Sequence, residues 1–194
     1  FCDRSTGLFW GMDSSEEPHH FMSYDPELNR FQRYDTVVPA HPTTGKAAML
    51  RGHTPDPAQD GYVYWATGNG TLFRFKPNGT NAPLAETVGT TWEQGRDTLQ
   101  IAMDPTGRYL YYFPKGDSPI VQFDVKTGRK KALCWLQDFY FEKYGYWMGE
   151  VYGLEISSDG SFLVVCVNGE FTPRRGGAHF GHPALVVIDI PKQE

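Results

Sequence analysis

The sequence has no long apolar segment and no excess of basic residues. No run of about 18 consecutive apolar residues occurs, so we expect no transmembrane span. The formal net charge is −5, from 18 basic and 23 acidic residues, whereas a duplex-binding protein normally carries a basic face. The composition therefore argues against both membrane insertion and nucleic-acid binding.

Cysteine is scarce. The three cysteines, Cys2, Cys134 and Cys166, have no metal-binding spacing. Cys134 and Cys166 lie within apolar runs, so we interpret them as buried, reduced thiols and keep a Cys134–Cys166 disulfide as the alternative. The cysteines therefore do not distinguish a reducing from an oxidising compartment. We favour an extracytoplasmic location, periplasmic or secreted.

Sequence signatures of several enzyme classes are missing. The chain contains no phosphate-cradling Gly-Lys-Ser/Thr loop, no Gly-x-Ser-x-Gly elbow, no His-Glu-x-x-His motif and no Cys-pair metal knuckle. These absences argue against a P-loop nucleotide site, an α/β-hydrolase nucleophile and a zinc-peptidase centre.

Turn-forming and aromatic residues are abundant instead. The chain has 21 glycines and 14 prolines, and aromatic residues make up 15% of it. Average sequences contain about 12% glycine plus proline, and this chain has clearly more. The composition is typical of many short strands joined by tight turns, and it argues against a helical bundle, a coiled coil or a disordered chain.

An alternating apolar segment that ends in a charged residue and a turn occurs four times. The copies are Phe21–Pro26, Leu72–Pro77, Ile120–Val125 and Leu185–Ile190. Their charged residues, Asp25, Lys76, Asp124 and Asp189, are 51, 48 and 65 positions apart. Repeats of this length, built from short strands, indicate the blades of a β-propeller.

Each repeat divides into short strands separated by turn residues. In the third repeat we expect strands at Leu99–Asp104, Tyr109–Phe113, Ile120–Val125 and Arg129–Leu136. The predicted fold class is therefore all-β, a propeller of about four four-stranded antiparallel blades. We place these blades at residues 7–38, 47–90, 98–136 and 150–190 of a single, partial domain.

The first and last repeats are each one strand short. We expect the first blade to lack its innermost strand and the last blade to lack its outermost strand. The chain is therefore predicted to be the C-terminal part of a larger ring of six to eight blades, with a strained, self-contained four-bladed ring as the alternative. An open arc exposes apolar faces and strand edges, so we expect marginal stability or oligomerisation.

Two segments resemble the YVTN-type and SMP-30/gluconolactonase-like propeller repeats. They are Ile101–Tyr111 and Gly153–Leu163, each an apolar strand, a tight turn and a second apolar strand. The resemblance implies the propeller fold, and the SMP-30 type implies a divalent metal (Ca, Zn or Mn) held by Glu, Asn and Asp side chains. Tyr152 stands where that type has an Asn before Gly153, so the family's metal ligands are not transferred to this chain.

Strand order assigns the connecting loops to two faces of the predicted propeller. Loops from second to third strands and loops between blades share one face, which we call the loop face. The two longest loops, Gln137–Glu150 and Asn168–Pro183, belong to it. Because long loops on a rigid scaffold concentrate binding residues, we expect any site there. We place Arg51 and His53 on the opposite face.

The loop face carries the candidate site residues. Aromatic rings in residues 137–150 can stack on sugars, flat ligands or cations, and arginine–histidine combinations in residues 168–183 suit acidic ligands or proton transfer. The catalytic candidates are His179, His182 and Tyr146; the substrate-binding candidates are Arg174, Arg175, Tyr144, Trp147, Trp92 and Arg96; the metal candidates are Glu150, Asp97 and Glu93. The alternative for each group is structural, as blade-edge cover, a solvated loop or an inter-blade ion pair.

Three functions remain open on this pattern. The first is a propeller scaffold that presents a ligand-binding face, for a small molecule or saccharide. The second is an enzyme of the lactonase or polysaccharide-lyase type, acting on a sugar lactone or an acidic saccharide. The third is a protein-interaction module, because propeller repeats serve all of these roles.

Overall fold

The computed structural model describes residues 1–59, 61–78, 81–93, 95–116, 118–175 and 181–191. The first sheet contains β1 (Phe9–Asp13), β2 (His20–Asp25) and β3 (Arg30–Val37). The second contains β4 (Leu50–Pro55), β5 (Val63–Thr67), β6 (Thr71–Asn78) and β7 (Asn81–Thr90). The third contains β8 (Ile101–Met103), β9 (Tyr109–Tyr112), β10 (Ile120–Asp124) and β11 (Lys130–Cys134). The helix α1 (Leu136–Tyr144) leads into the fourth sheet, β12 (Tyr146–Ile156), β13 (Phe162–Phe171) and β14 (His182–Asp189).

Every sheet is an antiparallel meander in which strands adjacent in sequence are adjacent in space. The predicted all-β fold class, with four blade-like sheets, is confirmed. We call the sheets the first to fourth blades. The Cβ alternation of each strand gives a blade two apolar sides, and both sides of the middle blades are buried.

The same backbone hydrogen bond closes the turn from first to second strand in the second, third and fourth blades and the turn before β1 in the first blade. The N–H groups of Asp3, Asp56, Asp104 and Ser157 donate to the carbonyl oxygens of Leu8, Tyr62, Tyr109 and Phe162, each at 2.9 Å. At Asp104 the carboxylate adds two bonds, because its Oδ1 accepts from the backbone N–H of Arg108 and Tyr109 at 2.8 Å. The turn residues therefore define the repeat together with the apolar strands.

The core is divided among three joints between neighbouring blades. Trp10 and Phe21 of the first blade pack on Trp65 and Phe75 of the second. A second cluster joins the second and third blades, and a third joins the third and fourth. The largest fully buried side chains, including Tyr111, Tyr112, Phe73 and Phe123, lie in these joints.

The segment Gln137–Glu150, predicted as a loop, is instead α1 followed by the start of β12. Asp138 lies in the first helical turn and Lys143 in the last, where each charge complements the helix dipole. Gly145 ends the helix in a left-handed conformation at φ 63°, and its N–H donates to Phe141 O at 2.8 Å. The segment Asn168–Pro183 is also shorter as a loop than predicted, because β13 and β14 extend into it.

The first blade has three strands, so its innermost strand is missing as predicted, although the first residues of the chain lie where that strand would be. Residues 1 and 2 lie beside β1 in the position of an innermost strand: Trp10 N–H donates to Phe1 O at 2.7 Å, and Cys2 forms a bridge with Phe9. Beyond them, an open groove of about 330 Å³ separates the first two blades, lined by Trp10, Met12, Met49, His53 and Trp65 among others.

The outward sides of the first and fourth blades do not pack on each other. Phe9 and Phe31 on the first blade and Leu185 and Val187 on the fourth are all exposed. The described residues thus form an open arc of blades, and the alternative of a self-contained four-bladed ring is not what the structure shows.

Candidate functional site

The blade-to-blade segments and the turns between second and third strands lie together on the loop face. Asn69 in the second blade's turn donates to Lys46 O at 2.8 Å. In the third blade, the N–H of Lys115 donates to Asp97 O at 2.7 Å. These bonds fix the irregular backbone to the sheets, so the loop face is a pre-formed surface.

Four alternating charges cluster at the ends of the inner strands on this face. Arg51, at the start of β4, lies 3.2 Å from the carboxylate of Asp97 through its Nε. Lys115 forms an ion pair with Glu150 in β12. The Tyr152 hydroxyl also donates to Glu150, at 3.0 Å. We call Arg51, Asp97, Lys115 and Glu150 the charge cluster.

The ion pair between Lys115 and Glu150 shifts the pKa values of both groups. The hydrogen bond from Lys115 is the main cause that lowers the pKa of Glu150, and the same bond raises the pKa of Lys115. Both groups are therefore charged throughout the neutral range, which favours a structural ion pair over a proton-transfer role. A cavity of about 20 Å³, large enough for one water, lies beside the pair and is lined by Phe113, Met148 and Val151 among others.

Arg51 and Lys115 lie on the loop face, and the sequence interpretation included neither among the candidate site residues. We expected Arg51 on the opposite face, because the first strand of the second blade was predicted to begin at Ala47. The strand begins at Leu50, and Arg51 reaches back towards the turn at Gly68 and the Asp97 carboxylate. A three-residue error in the start of the strand thus moved one cation to the wrong face.

The predicted candidates Trp92, Glu93 and Arg96 lie together between the second and third blades. Arg96 pairs with Glu93, its Nη2 at 2.9 Å from the carboxylate, and donates to the Ser118 hydroxyl at 3.0 Å. Trp92 packs edge-to-face on Trp135, with ring centroids 6.4 Å apart. This arrangement ties two blades together.

An exposed aromatic surface occupies α1. Phe139 and Tyr144 are 52% and 51% exposed, and both rings lie beside the Lys143 ammonium. Arg175 lies over the ring of Phe141 and pairs with Asp138 and Glu142 at 2.5 and 3.1 Å. We call Phe139, Lys143, Tyr144 and Arg175 the α1 patch. Two of the predicted binding residues are thus associated with this helix: Tyr144 lies beside Phe139 and Lys143, and Arg175 contacts Phe141.

The other candidates of the long loops are placed differently. Tyr146 is buried, burial raises its pKa, and its hydroxyl donates to the backbone oxygen of His182 at 2.5 Å. The exposed His182 ring packs against Phe171. Trp147 is buried edge-to-face on Phe141. Arg174 is exposed, and its N–H donates to the Thr172 hydroxyl at 3.2 Å. The candidate His179 lies outside the described residues.

The metal candidates do not assemble into a cation site. Within the described residues, no three His, Cys, Asp or Glu side chains are grouped so as to hold a metal. Asp97 is paired with Arg51, Glu150 with Lys115 and Glu93 with Arg96. A carboxylate already neutralised by a cation is a poor ligand for Ca²⁺, Zn²⁺ or Mn²⁺, so these residues do not fit the implied metal.

Two further expectations concern thiols and membranes. Cys2, Cys134 and Cys166 are free, so the alternative of a Cys134–Cys166 disulfide is wrong. Burial raises the pKa of the Cys134 thiol, which lowers its reactivity. Among the helices of the described residues, none has the length and apolar character required to cross a bilayer.

Comparison with profiles of known protein families and with curated proteins finds no match. Solved structures do match. A protein from Lactobacillus plantarum is 18% identical with a TM-score of 0.58, covering 97% of this chain and 55% of that one. Hydrazine synthase from Kuenenia stuttgartiensis is 14% identical with a TM-score of 0.55, covering 92% and 42%. A chain of a nidogen/laminin complex is 14% identical with a TM-score of 0.50, covering 82% and 52%.

These likenesses concern the fold alone, because every identity is below 20%. The chain spans about half the length of the structures that it matches. Together with the four antiparallel blades and their packed joints, they establish that the described chain has a β-propeller fold.

Proposed function

We propose that this chain is a propeller scaffold whose loop face binds a small molecule or a saccharide through the α1 patch. The observation that carries the proposal is the exposure of the Phe139 and Tyr144 rings on a helix that is held against the sheets. Burial of both rings would stabilise the fold, so their exposure on a pre-formed face favours a binding role.

Ligand chemistry follows from the groups around these rings. Aromatic faces stack on the apolar faces of sugar rings and on other flat ligands. The Lys143 ammonium stands beside the Phe139 and Tyr144 rings and offers N–H donors to hydroxyl or carboxylate oxygens. The Arg175 guanidinium lies over the Phe141 ring of the same helix and adds a second cation. The patch therefore suits a saccharide, including one with an acidic group.

The patch is also rigid enough to select a ligand. Arg175 pairs with two carboxylates of α1, and Thr172 N–H donates to Gly145 O at 2.9 Å, so the segment after β13 is attached to both ends of the helix. A surface fixed in this way loses little conformational entropy on binding.

The geometry favours this binding role over the enzymatic alternatives. A lactonase of the metal-dependent type needs carboxylate ligands, whereas Asp97 and Glu150 are each paired with a cation. A lyase needs a proton-transfer group, and the Tyr146 hydroxyl is already donated to a backbone oxygen, which leaves the exposed His182 as the described candidate for that role.

Saturation-transfer NMR with a panel of neutral and uronic-acid oligosaccharides tests the proposal. We expect at least one saccharide to show contacts, and Phe139→Ala with Tyr144→Ala to weaken its binding about tenfold, since an aromatic contact contributes about 0.5–1.5 kcal/mol. The matched control is Leu28→Ala, which removes an exposed apolar side chain from the opposite face. The proposal fails if no saccharide binds, or if the double variant and the control bind alike.

A further inference from the structure

Three exposed side chains of α1 follow one another at intervals of four residues. Trp135, the N-cap residue, is 48% exposed, Phe139 is 52% exposed, and Lys143 is exposed as well. Residues four positions apart lie on the same side of a helix, so these three form a row along its axis. The neighbouring Leu136 and Gln137 are buried, so the helix rests on the sheets by another side. We call Trp135, Phe139 and Lys143 the α1 row.

Trp135 extends the exposed aromatic surface beyond the α1 patch, and a second tryptophan holds its ring in place. The Trp92 ring meets it edge-to-face, with centroids 6.4 Å apart. Trp92 in turn packs against the buried cluster that joins the second and third blades. A ring that is half exposed and held by a packed neighbour offers a stacking surface at little cost in conformational entropy.

Lys143 supplies the row with a positive charge that no carboxylate neutralises within the described residues. Its ammonium lies 5.2 Å from the centroid of the Phe139 ring, which is a cation–π contact. The two carboxylates of the same helix, Asp138 and Glu142, are paired with Arg175 instead. A cation that has no acidic partner and lies beside exposed rings is suited to bind an anionic group of a ligand.

The α1 row does not lie at either end of the arc. The helix connects β11 to β12, and the third and fourth blades on its two sides are both described and packed together. Further blades stacked on the first or fourth blade would cover the outward sides of those sheets, whereas α1 lies on the loop face of a joint that is already complete. The exposure of the row therefore does not result from an unpartnered blade.

The spacing of the row indicates how much of a ligand it can contact. Successive members are about 6 Å apart along the axis, because a helix rises about 1.5 Å per residue. The two rings and the ammonium are thus separate contact points spread over about 12 Å. A single sugar stacked on one ring would leave the other contact points unused, whereas a linear oligosaccharide can contact all of them.

We infer that the ligand of the loop face is an acidic oligosaccharide that lies along α1, stacks on Trp135 and Phe139, and places an anionic group on Lys143. The anionic group is a uronate carboxylate or a sulfate, since both offer oxygen acceptors to an ammonium. This inference rests on the saccharide-binding function proposed above. It adds Trp135 to the binding residues, and it adds chain length and negative charge to the requirements for the ligand.

Isothermal titration calorimetry with galacturonic acid oligomers tests the requirement for length. We expect the tetramer to bind about tenfold more tightly than the monomer, because it adds a second stacking contact. Trp135→Ala should remove most of this gain. The matched control is Phe31→Ala, which removes a 66% exposed ring from the first blade and should retain the gain. Trp135→Leu repeats the test should Trp135→Ala fold poorly, as judged by circular dichroism.

The requirement for charge is tested with the methyl ester of the same tetramer, which keeps the sugar rings and removes the negative charge. Wild type should bind the acid about two- to fivefold more tightly than the ester, and raised salt should reduce this preference. Lys143→Gln should abolish the preference. The matched control is Lys126→Gln, which alters an exposed lysine in a turn of the opposite face and should retain it. A sulfated oligosaccharide that binds where the uronate does not would identify sulfate as the anionic group.

Three results would overturn the inference. They are equal binding of the acidic and neutral forms, an affinity that does not rise with chain length, and equal binding by Trp135→Ala and Phe31→Ala. Any of these results, with a saccharide still bound through Phe139 and Tyr144, would leave the proposed function standing. The absence of binding by every saccharide would overturn both proposals and would favour a protein partner for the α1 row.

Discussion

The Lys115 ammonium and the Glu150 carboxylate form an ion pair across the joint between the third and fourth blades. Lys115 follows β9, and Glu150 lies in β12, the inner strand of the next blade. The Glu150 side chain is largely buried, whereas that of Lys115 is half exposed. The pair therefore links two blades at the edge of the loop face.

We expect Glu150→Gln to lower the free energy of unfolding by about 1 kcal/mol, since solvent screens the half-exposed lysine. Urea denaturation followed by tryptophan fluorescence measures the change. A double-mutant cycle with Lys115→Met isolates the pair, and the two changes should not be additive. Additive effects would show that the pair contributes nothing of its own.

The contribution of this pair should also depend on pH. The pKa of Glu150 is lowered from 4.5, so its contribution is present above pH 4.5 and is lost as pH falls through the folded-state value. The pKa of Lys115 is raised from 10.5, so its contribution is present below pH 10.5 and is lost as pH rises through the higher folded-state value. The difference in stability between wild type and Glu150→Gln should thus be constant from about pH 6 to 9 and shrink in acid.

The propeller fold could be predicted because its signals are local. Alternating apolar residues indicate a strand, and turn residues such as those of Asp104–Gly107 indicate a tight turn. Both patterns can be recognised from neighbouring residues alone. The helix α1 could not be recognised, because its sequence, Leu-Gln-Asp-Phe-Tyr-Phe-Glu-Lys-Tyr, has no clear apolar stripe and is rich in aromatic residues of moderate helix propensity. Its stabilising contacts are tertiary: Gln137 bonds to the Met148 backbone, and Arg175, more than thirty positions away, pairs with two of its carboxylates.

The candidate site was predictable only in part, for a related reason. Residue type and loop assignment placed Tyr144 and Arg175 on one face, where the structure has them in the α1 patch. The same reasoning grouped Asp97 with Glu150 as metal ligands, although each carboxylate has its own cation. Arg51 and Lys115 come from other strands, so the neutralisation of both carboxylates depends on tertiary contacts that spacing does not show.

Gly70 should tolerate no side chain. Its φ is +77°, and a Cβ there would lie 2.3 Å from Thr91 Oγ1 and 2.5 Å from the backbone of Gly95. Gly70→Ala should therefore lower the free energy of unfolding by about 3 kcal/mol or more, or prevent folding. Gly45→Ala is the control, since Gly45 has a similar φ of +67° with nothing within 4 Å, and strain alone should cost about 1 kcal/mol. Equal losses in the two variants, measured by urea denaturation, would contradict the close packing of this turn.

Arg175 should hold α1 in place. Arg175→Ala removes two ion pairs and the contact with Phe141, but the side chain is nearly half exposed, so global stability should fall by only about 0.5 kcal/mol. Backbone amides of α1 should exchange with solvent about two- to fivefold faster, as measured by hydrogen-exchange mass spectrometry. Arg174→Ala is the matched control, because within the described part of the chain the Arg174 side chain makes no comparable ion pair. Equal exchange in the two variants would remove Arg175 from this role.

Asp159 should titrate well below the usual pKa of an aspartate. Its Oδ1 accepts hydrogen bonds from the hydroxyls of Ser157 and Ser161, both at 2.7 Å, and from the Ser161 N–H at 3.0 Å. These bonds, that from Ser157 first, lower the pKa of Asp159 from 3.8 to about 2. Carbon-13 NMR of the carboxyl resonance against pH should show this value directly.

Ser157→Ala should raise the pKa of Asp159 towards 3.8, because the largest stabilising bond to the charged form is removed. The wild-type turn contributes stability above pH 3.8 and loses it as pH falls through about 2, so the variant should lose less stability than wild type over this interval. Ser15→Ala is the control: Ser15 donates to Asp13, not to Asp159, so this variant should shift the Asp13 titration only. An Asp159 pKa unchanged by Ser157→Ala would show that this hydroxyl does not stabilise the carboxylate, and the tight turn between β12 and β13 would then depend on the Ser161 hydroxyl and on backbone bonds.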